Sequence, residues 1–151
     1  MNGMTVKIKI LDSRARPPVY ASEGAAGADL RACISGPVEI RPGETVKVGL
    51  GFSAALPEGY AGLVFARSGM AAERGIAPAN KVGVVDSDYR GEWMVPLHNH
   101  GTAAVTVSPG ERVAQLLVVP AARAEFVVSD ALDATERGGG GFGSTGSHDT
   151  R

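Results

Sequence analysis

Two aspartates and a tyrosine stand close together in Gly83-Val84-Val85-Asp86-Ser87-Asp88-Tyr89-Arg90-Gly91-Glu92. Valines lead into Asp86, so this carboxylate can end a strand and point into a cleft as a general base, or sit solvated in a polar turn. A second segment, Arg67-Ser68-Gly69, opens a stretch of helical composition. Unpaired N–H groups at a helix start, with an arginine and a serine beside them, suit an anion; the same tripeptide also makes an ordinary cap. A third segment, Arg137 to Gly146, holds six glycines in ten residues. Gly138 to Gly143 has the G-x-x-x-x-G spacing, followed by Ser144 and Thr145. A P-loop has lysine where Ser144 stands, follows a strand and opens a helix, so a P-loop NTPase is set aside. Backbone N–H groups, two hydroxyls and Arg137 still suit phosphate oxygens, and Phe142 suits stacking on a flat ring. On composition alone the same stretch fits a disordered tail. A fourth carboxylate, Asp29, lies among small and apolar residues in Ala26-Gly27-Ala28-Asp29-Leu30-Arg31, where it can serve a ligand or cap local backbone N–H groups.

The remaining reactive side chains carry less. His98 and His100 share a strand face at i, i+2 spacing, but no third ligand lies near them in sequence, so they read as surface or subunit-contact residues. The single cysteine, Cys33, excludes an intramolecular disulfide and a multi-cysteine zinc site, and reads as a small buried hydrophobe. Fifteen Lys+Arg against sixteen Asp+Glu give a net charge of −1, which argues against a nucleic-acid binder working through a general basic face. No apolar run is long enough to span a membrane, and the charged MNGMTVKIKI start does not read as a signal peptide, so a cytoplasmic location is expected.

These residues need a rigid frame, and 151 residues are enough for one domain with its own core. With 21 glycines and 9 prolines, long helices have little room. Period-two alternation marks strands at Val6–Ile10, Val46–Phe52, Trp93–His98 and Ala103–Val107. Val113–Val119 is more continuously apolar and reads as a strand buried on both faces. Pro-Gly at the centre of Arg41-Pro42-Gly43-Glu44 and Ser108-Pro109-Gly110-Glu111 predicts type II turns, and Leu56-Pro57-Glu58-Gly59 is a third turn. Asp86 and Tyr89 fall at the tip of a predicted hairpin. Ser68–Gly75 is a helix of about two turns, with Ser68 as N-cap and Gly75 just past its end. The expected fold is all-β: a sandwich or barrel over residues 1–132, followed by a flexible glycine-rich arm over 133–151.

The order of the segments is more specific than any one of them. A-G-A-D-L-R-A, R-S-G-M-A, G-V-V-D-S-D-Y-R-G-E, G-E-R-V-A-Q-L and R-G-G-G-G-F-G-S-T-G resemble the five ordered motifs of the trimeric deoxyuridine triphosphatase (dUTPase) family, from about Val6 to Gly146. The resemblance implies a jelly-roll-like β-barrel, a homotrimer with active sites at subunit interfaces, and hydrolysis of dUTP to dUMP and pyrophosphate. That activity limits uracil incorporation into DNA and supplies dUMP for dTMP synthesis. It implies Mg²⁺ bound mainly by the triphosphate, with Asp29 acting through water, and neither nucleic acid nor membrane as partner.

By position, Asp86 resembles the residue that deprotonates the water attacking the α-phosphorus, and Tyr89 the residue packed under the deoxyribose. Asn80 and the backbone through Val85 resemble the uracil reader. Arg67, Ser68, Gly69 and Gln115 resemble the phosphate contacts. Arg137, Phe142, Gly143, Ser144 and Thr145 resemble the arm that closes over the site. Ala66 departs from the proline common in the family, and Pro78 should stiffen the link before Asn80. The dCTP deaminase family is similar in its R-S and I-D-x-x-[FY]-x-G segments, but its proton-transferring glutamate aligns with Pro96, which cannot shuttle protons. A non-catalytic β-barrel binding or regulatory protein is the other alternative, and Asp86, Tyr89 and the complete arm argue against it.

Overall fold

The structure is a computed structural model, and it describes residues 3–142. Gly143, Ser144 and Thr145 lie outside the described residues. The described chain forms β1 (Lys7–Ile10), β2 (Val19–Tyr20), β3 (Ala28–Arg31), β4 (Val38–Ile40), β5 (Thr45–Gly49), β6 (Phe52–Ala55), β7 (Tyr60–Phe65), α1 (Ser68–Arg74), β8 (Ile76–Pro78), β9 (Gly83–Val85), β10 (Met94–Asn99), β11 (Val105–Val107) and β12 (Arg112–Pro120). All pairings are antiparallel. A five-stranded sheet runs β2-β3-β12-β7-β9, a three-stranded sheet β5-β10-β8, and β1-β6 and β4-β11 form two pairs. Leu30, Ile40, Leu50, Phe52, Ile76 and Leu97 are fully buried between them. The all-β reading with one short helix therefore holds.

The turns are where the sequence places them. Glu44 N–H donates to Arg41 C=O at 3.0 Å and Glu111 N–H to Ser108 C=O at 3.1 Å. Gly43 and Gly110 carry φ of 78° and 75° at the third position, as a type II turn requires. The third turn closes one residue later than expected, with Tyr60 N–H on Pro57 C=O at 3.2 Å.

Several expectations need correction. The run Val46–Phe52 is two strands, because Gly51 adopts φ 71° and bends the chain between β5 and β6. Of the run beginning at Ala103, only Val105–Val107 pairs. In β12, Val113, Ala114 and Leu116 are buried, whereas Leu117 to Val119 are half-covered, so burial on both faces holds only for its first half. The alternation of β1 leaves Ile10 46% exposed, without cover from its own chain. Pro78 is a fully buried residue of β8 opposite Leu97, rather than part of a link. Cys33 is half-buried. Its thiol is pushed up chiefly by that burial and next by the Asp12 carboxylate, so it stays protonated at neutral pH.

The largest correction concerns the hairpin. β9 pairs with β7 and β10 with β5 and β8, and no pairing joins β9 to β10. The segment carrying Asp86 and Tyr89 instead crosses from one sheet to another, leaving the two strands splayed.

Candidate active site

The splayed strands enclose a cavity of about 320 Å³. Asn80, Gly83, Asp86 and Tyr89 line it from the β9 side, and Glu92 and Pro96 from the β10 side. A Cβ at Gly83 would stand 3.1 Å from Asn80 Nδ2. Asn80 therefore lies over a backbone stripped of side chain, which leaves main-chain groups of β9 within reach of a flat ligand. Val85, opposite Gly62 of β7, fixes the end of the strand, and Asp86 follows as an exposed carboxylate. A turn holds it there: Tyr89 N–H donates to Asp86 C=O at 3.2 Å, and Arg90 Nη1 donates to the carbonyls of Ser87 (2.6 Å) and Tyr89 (3.0 Å). Asp86 also borders a larger depression, of about 830 Å³, with Ser87, Asp88, Arg90 and Arg123, so it stands on the ridge between two hollows.

A second cleft, also about 320 Å³, forms where β7 turns into α1. Register explains it: Gln115 of β12 lies opposite Asp29 of β3 and Phe65 of β7, so one row of the sheet brings Asp29 and Gln115 to the corner that leads into Arg67. Gln115 Nε2 donates to Ala66 C=O at 2.8 Å, which fixes this corner. A Cβ at Gly27 would come within 2.6 Å of Gln115 Oε1, so a side chain there would push the amide aside.

Arg67, not Ser68, is the N-cap; it is extended (φ −84°, ψ 139°) and its cap position makes no side-chain cap bond. Its guanidinium serves Asp29 instead, Nε to Oδ1 at 2.9 Å. Asp29 Oδ2 meets Arg112 Nη1 at 3.2 Å. Asp29 thus sits between two arginines and is 13% exposed at its side chain, rather than capping backbone N–H groups. Gly75 ends the helix as expected, in the left-handed region at φ 66° with its N–H on Met70 C=O. Arg74 ties that end to the barrel through the Glu111 carboxylate and the Thr106 carbonyl (2.6 Å).

The cavity and the cleft have no lining residue in common. Of the arm, the described residues Arg137 and Phe142 are not brought to either: Arg137 Nε donates to Gly140 C=O at 2.7 Å in a local turn, and Phe142 is fully exposed. His98 and His100 lie with ring centroids 4.4 Å apart and planes tilted by 59°, and His98 Nδ1 lies 2.8 Å from Thr45 Oγ1. Desolvation, then Lys81 and His98, hold His100 below the usual imidazole range. Among the described residues no three His, Cys, Asp or Glu side chains gather as a metal cage, and no helix is long and apolar enough to cross a membrane. Sequence reasoning missed Glu92, Arg112 and Gly27. All three stood within the quoted motifs, where residue type alone gave them no role.

A β-barrel with a ring-sized cavity beside an exposed carboxylate, and a separate cleft built on arginine, suits an enzyme acting on a phosphorylated, ring-bearing substrate. The family model for dUTPase matches residues 13–146. The deoxyuridine 5'-triphosphate nucleotidohydrolase of Paraburkholderia phymatum is 49% identical over 148 residues, covering 96% of this chain and 100% of that protein. Its counterpart in Janthinobacterium sp. is 49% identical, covering 95% and 99%. Among solved structures, the Staphylococcus bacteriophage 80alpha dUTPase with dUPNHPP superposes with a TM-score of 0.86 at 25% identity, covering 94% of this chain and 98% of that one. The chain belongs to the dUTPase family.

Proposed function

We propose that this dUTPase hydrolyses dUTP to dUMP and pyrophosphate by water attack on the α-phosphorus, with Asp86 as general base. The observation that carries the reading is the cavity between β9 and β10: Asn80 and a bare glycine backbone on one wall, Tyr89 at its side, Asp86 at its rim. Such a wall recognises a planar base by its hydrogen-bonding edge, while the rim is where the phosphate end emerges. Asp86 takes the proton of the attacking water as the new oxygen–phosphorus bond forms. The bridging oxygen to the β-phosphorus leaves with pyrophosphate. Arg67, Ser68 and Gln115 hold the phosphate chain, and the developing charge is met by donors already in place.

The donor set fits Mg²⁺ carried by the nucleotide. Asp29 is committed to Arg67 and Arg112, so it reaches a metal only through water, and Mg²⁺ favours phosphate and water ligands over a protein cage. When bound, the ion would supply charge neutralisation on the triphosphate. The family resemblance implies a homotrimer, and the separation of cavity and cleft on one chain supports a site in which one copy's cleft serves a neighbour's cavity. Deamination finds no support: Pro96, aligned with the deaminase glutamate, lines the cavity and offers no proton-transferring group.

Pyrophosphate release measured across dUTP, dTTP, dCTP and UTP tests the reading. Backbone donors and acceptors fitted to the uracil edge would be left unpaired by cytosine, and close packing at C5 leaves no space for the thymine methyl. dUTP is expected to dominate, and comparable hydrolysis of dCTP or dTTP contradicts the assignment. Tyr89 carries the sugar: its ring fills the space a ribose hydroxyl needs. Tyr89→Ala is therefore expected to narrow the preference for dUTP over UTP as well as weaken binding. An unchanged ratio of the two kcat/KM values removes Tyr89 from that role.

A further inference from the structure

We infer that Glu92 is a positioning residue for Tyr89, and through it for the choice between deoxyribose and ribose; this rests on the proposed reaction. Tyr89 is 45% exposed, so packing alone does not fix its ring. Its hydroxyl donates to the Glu92 carbonyl at 3.0 Å. To reach that carbonyl the ring folds back over Gly91, where a Cβ would collide with the phenol. The ring is therefore placed as well as the Glu92 backbone is placed, and no better.

The Glu92 side chain adds a hold on that backbone. Its Oε1 accepts the Gly51 N–H at 3.2 Å. Gly51 is the bend between β5 and β6, and its carbonyl accepts from Leu11 (2.8 Å) and Asp12 (3.1 Å) at the end of β1. The carboxylate thus latches the Asp86–Glu92 segment to a part of the barrel that is itself tied down. The peptide that carries the Glu92 carbonyl is held by Trp93 N–H on Phe52 C=O at 2.9 Å; on the side toward Tyr89, the carboxylate latch adds to the turn that closes from Tyr89 N–H to Asp86 C=O. Gly49 shows how close the fit is, since a Cβ there would stand 2.8 Å from Oε1. Nothing in the proposed chemistry requires a carboxylate at 92, because Asp86 already supplies the base. The position does require an acceptor of this reach, facing a strand that carries no side chain at 49.

A ring freed from this tether no longer holds the boundary against a 2′-hydroxyl, and small displacements in a site of this kind carry large rate effects. The test compares kcat/KM for dUTP and UTP in wild type, Glu92→Ala, Glu92→Gln, Gly49→Ala and Tyr89→Phe, with thermal melts to confirm folding. Glu92→Ala is expected to lower the dUTP/UTP ratio by about 3–30-fold. Glu92→Gln keeps the Oε1 acceptor and is expected to keep the ratio within about twofold. Gly49→Ala displaces the same carboxylate from another strand and should lower the ratio in the same direction, as should Tyr89→Phe, which removes the tether itself. Wild-type ratios in both folded Glu92→Ala and Gly49→Ala overturn the inference. If Glu92→Ala does not fold, Gly49→Ala decides by the same criterion. A wild-type enzyme with no preference for dUTP would overturn the proposed function and this inference with it. An unchanged ratio in a dUTP-selective enzyme overturns the inference alone.

Discussion

Asp86→Asn is expected to lower turnover on dUTP by about 10²–10⁴, the usual worth of a positioned general base, while fold and nucleotide binding persist. The reason is local. The carboxylate is exposed at the end of β9, and the bonds that shape its turn come from its backbone and from Arg90, not from its side chain. An amide therefore keeps the shape and loses only the capacity to accept the proton. Binding of a non-hydrolysable analogue should change little, and single-turnover rates should carry the loss. A variant turning over within a few-fold of wild type would remove Asp86 from the role of base.

Truncation after Glu136 is expected to leave a folded barrel with turnover lowered by orders of magnitude. The last strand ends at Pro120, and from there to Phe142 the described chain contributes no strand and none of the buried core residues, so the core loses nothing. What is lost is Arg137, Phe142 and, beyond the described residues, Gly143, Ser144 and Thr145. A glycine-rich segment pays a high entropic cost to become ordered, which bound nucleotide offsets through phosphate and ring contacts. On the proposed reading, closure would exclude water and strengthen electrostatics at the α-phosphorus. Nineteen residues reach at most ~60 Å, far enough to serve a neighbouring copy. Mixing the truncated chain with full-length Asp86→Asn chains tests this: recovery that neither parent shows means that base and arm come from different protomers. No recovery, with subunit exchange confirmed, assigns each site its own arm.

The parts of this fold legible in the sequence are those governed by local chemistry. Proline presets φ in the turns at 41–44 and 108–111, and Gly75 accepts the left-handed conformation that ends α1, so both read directly. Alternation found β1 and β10, but it missed β3, β7 and β8, whose pairing is decided by partners far along the chain. It also ran through Gly51, because a bend within an apolar run leaves the period intact. The splaying of β9 from β10 is a tertiary outcome: each strand finds a better partner in a different sheet, and the cavity is what remains between them.

The candidate site divides in the same way. Asp86, Tyr89 and Arg67 stood out by residue type and motif order. The pairing of Asp29 with Arg112 joins residues 83 apart, and the Glu92 latch depends on a missing Cβ at Gly49, so neither leaves a local signal. Helix capping went to Arg67 rather than Ser68 because its extended backbone turns the guanidinium toward Asp29, a contact made across the sheet.

The central claim is that water attacks the α-phosphorus of dUTP under the control of Asp86. Hydrolysis in ¹⁸O-labelled water, with both products analysed by mass, tests it most directly. One labelled oxygen is expected in dUMP and none in pyrophosphate, with the same partition in whatever residual turnover Asp86→Asn retains. Label in pyrophosphate would place the attack on the β-phosphorus, where neither the base nor the cavity it borders would have the role assigned to them.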